Sequence, residues 1–362
     1  MTNLNEAVYP RGKQAGMFPA LSSRPDEAYV DFIADARNFL LHAQQYPIGD
    51  YSRKLLAAAG VPMSADPQNT RRAIDVLLQD PAVKTYYRLK RSLQEAFWSR
   101  VQSSYGSRRD ELLAAFDAAD HMGPGSVSYD EKKPLPDYAR VEIHLQPGGY
   151  CFEPLAGMLY DYGLKTFMGG AADNDFVAMM GARTAAVPAD GKVQRILDLG
   201  CSAGATTTAL KTLHPQAEVH GIDLSAPMVR YAHLRALQQD SDVHFHQMNA
   251  AQLEFPDNHF DMVLAMLLFH ETPVEVARQT LQEALRVLRP GGTLAVVDFS
   301  GDRKRDVYIM LFAELDGSDN GEPFIPPFVR SNIEDVMQEV GFQLKSYDPS
   351  KALTQGRIAV KP

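Results

Sequence analysis

Residues 193–224 (VQRILDLGCSAGATTTALKTLHPQAEVHGIDL) constrain the fold more than any other stretch of this chain. Ile196, Leu197 and Leu199 make a short apolar run with Asp198 inside it, the composition of a strand buried on both faces. Gly200 and Gly204 follow, and backbone without a Cβ admits a ligand more closely than any other residue would. Helical spacing over 206–213 and a second apolar run over 219–222 lead to Asp223, about twenty residues beyond the turn. A strand, glycine turn, helix and strand closing on a carboxylate is what a doubly wound sheet uses at its carboxyl edge to hold a nucleoside, the acid accepting from ribose hydroxyls.

Two cofactors fit that outline, and the glycines separate them. A dinucleotide fingerprint has Gly at its first, third and sixth places, which here hold Gly200, Ser202 and Ala205, so the helix does not open as a pyrophosphate cradle requires. Asp198, Gly200, Ser202 and Gly204 instead resemble motif I of the class I S-adenosylmethionine-dependent methyltransferases, an acid followed by three alternating glycines, with Ser202 at the middle one. The continuation keeps the family's order. Residues 244–253 read as a third strand and the adenine-contacting turn, 262–269 as a buried strand, 273–288 as an amphipathic helix stopped by Arg289, Pro290, Gly291 and Gly292, and 293–299 as another buried strand. A helix over 333–340 and two strands over 342–347 and 357–360 complete it.

The resemblance covers residues 192–362 and implies an α/β fold: a Rossmann-like, doubly wound methyltransferase sheet with a terminal antiparallel strand pair. It further implies S-adenosyl-L-methionine as cofactor, held by Asp198, Gly200, Ser202, Gly204, Asp223 and Leu224, with Asn249 and Ala250 at the adenine.

Ahead of that core, residues 26–45, 71–78, 82–102 and 108–119 have helical periodicity, punctuated by Pro47, Pro62, Pro67 and Pro81. Residues 1–150 are therefore expected to be a mostly helical cap that shapes the acceptor pocket, a role compatible with dimerisation. Within it, 122–136 reads as a linker and 138–145 as a strand. Residues 151–191 are expected to connect cap and core and to cover the cofactor cleft. The aromatic stretch Tyr150, Phe152, Tyr160, Tyr162 and Phe167, ending in Gly169, Gly170, Asp173 and Asp175, lies there. A ring face attracts a sulfonium without offering a competing nucleophile, and Tyr160 and Tyr162 are the candidates.

Composition narrows the setting. A formal net charge of -9 gives no broad basic surface for nucleic acid; the nearest basic run, residues 88–91, reads as a solvated helix face. No apolar stretch reaches the length of a membrane span, the first 13 residues lack a signal-peptide core, and a cytoplasmic location is expected. Cys151 and Cys201 allow neither a disulfide framework nor a zinc spacing, and no metal is expected.

His270 and Glu271 follow the apolar run 262–269, so they emerge at the carboxyl edge of the sheet, where a base could take a proton from an acceptor hydroxyl. The run HETPVE has Val274 where a zinc protease needs its second His. His220, His244 and His246 lie along strands and read as structural. Asp298 and the segment 300–330 are placed on the acceptor side, with Arg303, Lys304 and Arg305 able to receive a carboxylate or simply to be solvated. The expected activity is methyl transfer to a small molecule, to oxygen in preference to nitrogen or carbon, in specialised metabolism. Two other readings stay open: cyclisation of the cofactor's own side chain to azetidine-2-carboxylate with release of methylthioadenosine, and cofactor binding without catalysis.

Overall fold

The computed structural model describes residues 20–64, 66–167, 175–299, 307–347 and 354–362. Gly169, Gly170, Asp173, Arg303, Lys304, Arg305 and the first 13 residues lie outside them. The amino-terminal helices are α1 (Arg24–Asn38), α2 (Gln45–Ala58), α3 (Pro67–Leu77), α4 (Pro81–Gly106) and α5 (Arg109–Ala119). Three starts are built alike: Ser23, Asp66 and Asp80 accept from the N–H groups of Asp26, Asn69 and Val83, and proline stands in each first turn, where its missing N–H costs nothing. The same tolerance explains α2, which sequence periodicity missed: Pro47 reads as a breaker but sits in the helix's first turn.

Two segments differ from expectation. The linker over 122–136 contributes a strand, β1 (Ser126–Ser128), paired parallel along the sheet edge with the hydroxyls of Ser126 and Ser128 bonded to Nδ1 of His244 and His246. The expected strand over 138–145 is instead two short 3-10 turns, Asp137–Arg140 and Ile143–Leu145. Its alternation is broken where His144 and Leu145 take left-handed φ of 55° and 57°. The turn is pinned there because Trp98 Nε1 and Gln94 Nε2 both donate to the His144 carbonyl, at 2.7 and 2.9 Å.

The rest of the chain runs α6 (Ala156–Phe167), α7 (Phe176–Thr184), β2 (Arg195–Leu199), α8 (Ala205–Leu213), β3 (Glu218–Asp223), α9 (Ala226–Gln238), β4 (His244–Gln247), β5 (Phe260–Met266), α10 (Val274–Val287), β6 (Leu288–Phe299), α11 (Val307–Asp319), α12 (Ile325–Arg330), α13 (Ile333–Val340), β7 (Gln343–Tyr347) and β8 (Thr354–Val360). Residues 307–330 are largely helical, with Pro326 in the first turn of α12. Strand order is β1-β4-β3-β2-β5-β6-β8-β7, parallel except where β8 pairs antiparallel with β6 and β7. The order reverses between β2 and its neighbours β3 and β5, which places the ligand crevice of such a sheet beyond the carboxyl end of β2.

Four buried clusters hold this together. Leu197, Ile222, Val263 and Leu294 pack under α10 and α13 on one face; Ile196, Val219, Phe245 and Met262 pack under α8 and α9 on the other. The other two clusters join the amino-terminal helices to the sheet layer: Phe97, Trp98, Tyr105 and Phe116 bury against Tyr162, Tyr231 and Leu234, while Leu56, Leu77 and Val83 bury against Val307 and Leu311.

Candidate functional site

Beyond β2 the chain turns at Gly200 (φ +68°) and Ser202 (φ +46°), and α8 begins at Gly204 (φ +78°) with no side chain capping its first turn. A Cβ at Gly200 would come within 2.7 Å of Leu268 Cδ1, and one at Gly204 within 2.8 Å of Ala232 Cβ. Ser202 holds the left-handed conformation that favours glycine. Its N–H donates to Asp223 Oδ2 at 3.0 Å, and Ser225 N–H donates to Oδ1 at 2.9 Å, which fixes the carboxylate at the end of β3. Burial pushes the Asp223 carboxyl up to about 6.

Asp198 lies beneath the turn rather than in the cleft. It is buried and accepts from Thr207 Oγ1 at 2.7 Å; burial pushes its carboxyl up to about 7, Thr207 opposing and Asp223 adding to the rise. Neither Asp198 nor Gly204 is among the residues lining the two cavities at this edge, and both shape the turn.

Two cavities meet at Gly200, which lines both. The first is bounded by Asp223, Leu224, Met248, Asn249 and Ala250 on the β3–β4 side and by Tyr138, Ile143, Tyr150, Leu268 and Glu271 opposite. The second lies over the start of α8, with Ser202, Ala205 and Thr206 on one wall and Tyr160, Asp161, Lys165 and Asp175 on the other. Lys165 Nζ is 3.0 Å from Asp161 Oδ2, and the Tyr231 hydroxyl donates to the same oxygen at 2.7 Å. Burial acts against the Asp161 charge, but Lys165 and Arg235 outweigh it and hold the carboxyl below its ordinary range.

This pair of cavities fits S-adenosylmethionine. The adenosine has a ribose acid and an apolar slot on one side of Gly200. An amino-acid end has a cation, two carboxylates and an uncapped helix start on the other.

Tyr150 and Tyr160 stand edge to face, with centroids 5.4 Å apart, one ring in each cavity wall. Tyr162 is not with them. It is fully buried beside Phe97 and Tyr105, and its hydroxyl donates to Glu27 at 3.1 Å. Residues two apart on a helix point about 200° apart, so Tyr160 and Tyr162 cannot face one cleft.

Beyond β5 the chain makes the turn Phe269–Glu271. Glu271 lines the first cavity, whereas His270 is buried behind it, 2.8 Å from Asp298 Oδ1 through its Nδ1. Phe269 N–H donates to the other Asp298 oxygen at 2.8 Å. Burial disfavours the imidazolium, but the Asp298 carboxylate more than compensates and holds His270 up to about 9. Burial raises the Glu271 carboxyl, opposed by His270 and His144. His144 reaches over from the 3-10 turn with Nε2 3.6 Å from Glu271 Oε1 and Nδ1 2.9 Å from Glu322 Oε1.

His144, Tyr150, Lys165 and Glu322 are not among the site residues expected from sequence, although Tyr150 lies in the aromatic stretch and Glu322 in the segment 300–330. For Lys165 the usable signal was its spacing of four from Asp161 in an apolar helix. His144 arrives from a segment whose approach is tertiary. His220 and His246 stack at 5.3 Å on the sheet, and His244 lies 5.3 Å from His220, away from both cavities.

A family model described as a methyltransferase domain matches residues 196–292. The chain is 38% identical over 107 residues to a 27-O-demethylrifamycin SV methyltransferase of Amycolatopsis mediterranei, a match covering 29% of this chain and 38% of that protein. It is 30% identical over 185 residues to a ubiquinone/menaquinone biosynthesis C-methyltransferase of Pseudomonas savastanoi, covering 46% of this chain and 70% of that one. The chain thus spans well under half the length of the first relative. Among solved structures, a putative O-methyltransferase from Nostoc punctiforme aligns with a TM-score of 0.42 at 22% identity, over 56% of this chain and 60% of that one.

Proposed function

The chain belongs to the class I S-adenosylmethionine-dependent methyltransferases, and from that premise we propose that it methylates a hydroxyl of a small molecule, in specialised metabolism. The observation that carries the reading is the pair of cavities meeting at Gly200, with Asp223 in one, Lys165 in the other and Glu271 on the acceptor-side wall. Asp223, with Leu224, Asn249 and Ala250 around it, receives the ribose and adenine. Lys165 and the open start of α8 receive the carboxylate of the amino-acid end, and Asp161 and Asp175 its ammonium. Tyr150 and Tyr160 turn their rings to the positive sulfur between the two ends.

Bound there, the cofactor supplies a methyl group already activated on a positive sulfur. The chain's part is to orient the acceptor, exclude water and remove a proton, and orientation and exclusion together are worth on the order of 10 kcal/mol. His270 and Glu271 beside the cleft favour oxygen, because a hydroxyl needs a base. The two relatives differ in acceptor atom, one named for a 27-O position and the other for C-methylation, so the side chains of this chain carry the choice.

Calorimetry with S-adenosylhomocysteine tests the cofactor site: Asp223→Ala should weaken binding by about 100-fold, the loss of charge-assisted hydrogen bonds to two hydroxyls, whereas His270→Ala should leave it nearly intact. Incubation with S-adenosylmethionine alone should release nothing. Methylthioadenosine in that control would overturn methyl transfer in favour of cyclisation.

A further inference from the structure

Resting on that reading, we infer that Glu271, not His270, takes the acceptor's proton, that Tyr150, His144 and His270 are positioning residues for it, and that the acceptor is a neutral hydroxyl compound. Among the described residues the polar contacts of the Glu271 side chain fall on one oxygen. Oε1 accepts from the Tyr150 hydroxyl at 3.2 Å and faces His144 Nε2 at 3.6 Å and His270 Nε2 at 3.9 Å, which leaves Oε2 to the cavity that Glu271 lines. A carboxylate held by one oxygen and open at the other is oriented for a proton arriving from the cleft. His270 lacks that access, being 5% exposed and not part of the cavity wall. Its Nδ1 is taken by Asp298, and the Asp298 charge keeps the ring protonated at neutral pH, so it has no lone pair to offer.

Each imidazole has its own carboxylate, Asp298 for His270 and Glu322 for His144, and Asn320 Nδ2 donates to the Glu322 oxygen at 2.7 Å. Among the described residues Glu271 is therefore the carboxylate of the cluster without a dedicated cation. When the acceptor oxygen bonds the methyl carbon, the carbon–sulfur pair stays on sulfur and the hydroxyl proton passes to Glu271 Oε2. Sulfonium and carboxylate sum to zero before transfer, and thioether and carboxylic acid sum to zero after it. A neutral acceptor keeps that balance in a buried cleft. An acceptor arriving as an anion would leave an unpaired negative charge, which burial makes costly.

Infrared difference spectroscopy of the protonated-carboxyl stretch, titrated with pH, tests this without an acceptor. One band should vanish in Glu271→Gln. Its midpoint should fall when S-adenosylmethionine binds and fall much less with S-adenosylhomocysteine, whose sulfur is uncharged. In His144→Asn, which suits the left-handed backbone there, the midpoint should rise in the unliganded enzyme. Glu322→Gln, which removes a neighbouring negative charge and frees His144 to pair with Glu271, should lower it and serves if the first variant unfolds. A midpoint indifferent to His144 and Glu322, or equal for the two ligands when calorimetry shows both bound, would overturn the inference. Failure of either ligand to bind would instead overturn the cofactor reading, leaving the His144 shift to report on the clamp alone.

Discussion

At the residue scale the turn after β2 is decided by backbone. Gly204 combines φ of +78° with contacts of 2.8 Å from a notional Cβ to both Ala232 Cβ and Phe245 Cζ. A side chain there incurs the left-handed penalty, about 1–2 kcal/mol, and overpacking, about 1–3 kcal/mol. Gly204→Ala should therefore destabilise the protein by about 2–5 kcal/mol in chemical denaturation. The positions of Asp223 and Glu271 on the cavity wall were legible at this scale because each lies just beyond an apolar run with the composition of a strand of the sheet. The choice of Tyr162 failed because it needed the rotational setting of α6, and spacing along the chain does not set which way a helix turns.

At the scale of elements, α6 determines how the second cavity is walled. It packs between α4 and α9 through small residues: a Cβ at Gly163 would meet Trp98 Cη2 at 2.4 Å, and one at Gly157 would meet Tyr231 Cβ at 2.5 Å. Close approach there brings Tyr160 and Lys165 to the start of α8 and keeps Trp98 against the His144 carbonyl. Gly163→Ala should push α6 from α4 and cost about 1–3 kcal/mol of stability, read from the midpoint of urea unfolding at unchanged slope. The expected helices α3, α4 and α5 were legible from period and proline. The misread elements were those whose conformation is imposed from outside: β1 by the exposed edge of β4, and the 137–145 turns by Trp98 and Gln94.

For the molecule as a whole, the buried charges around the cleft link stability to pH. His270 is held at about 9 in the folded protein against an ordinary 6.5. The folded state therefore binds the proton more tightly, so this contribution is full below pH 6.5 and is lost as the pH rises through about 9. Its size is at most about 3 kcal/mol. Asp198, raised to about 7, loses its contribution in the same sense but lower in the range. Melting temperatures should fall from pH 7 to pH 9, and His270→Gln should flatten that limb. An unchanged slope in the variant would show that His270 is not the group responsible.

Local pattern alone determined the central strands of the sheet and its crevice. Buried strands, glycine turns and a terminal acid are short-range features, and parallel topology carries the ends of β2, β3 and β5 to one edge. Only the tertiary structure decided the acceptor side. Glu271 became the group at the cavity, and His270 its partner, because Asp298, His144 and Glu322 converge from residues far apart in sequence. The distances and burial that set the charge of each group exist only once those segments pack together.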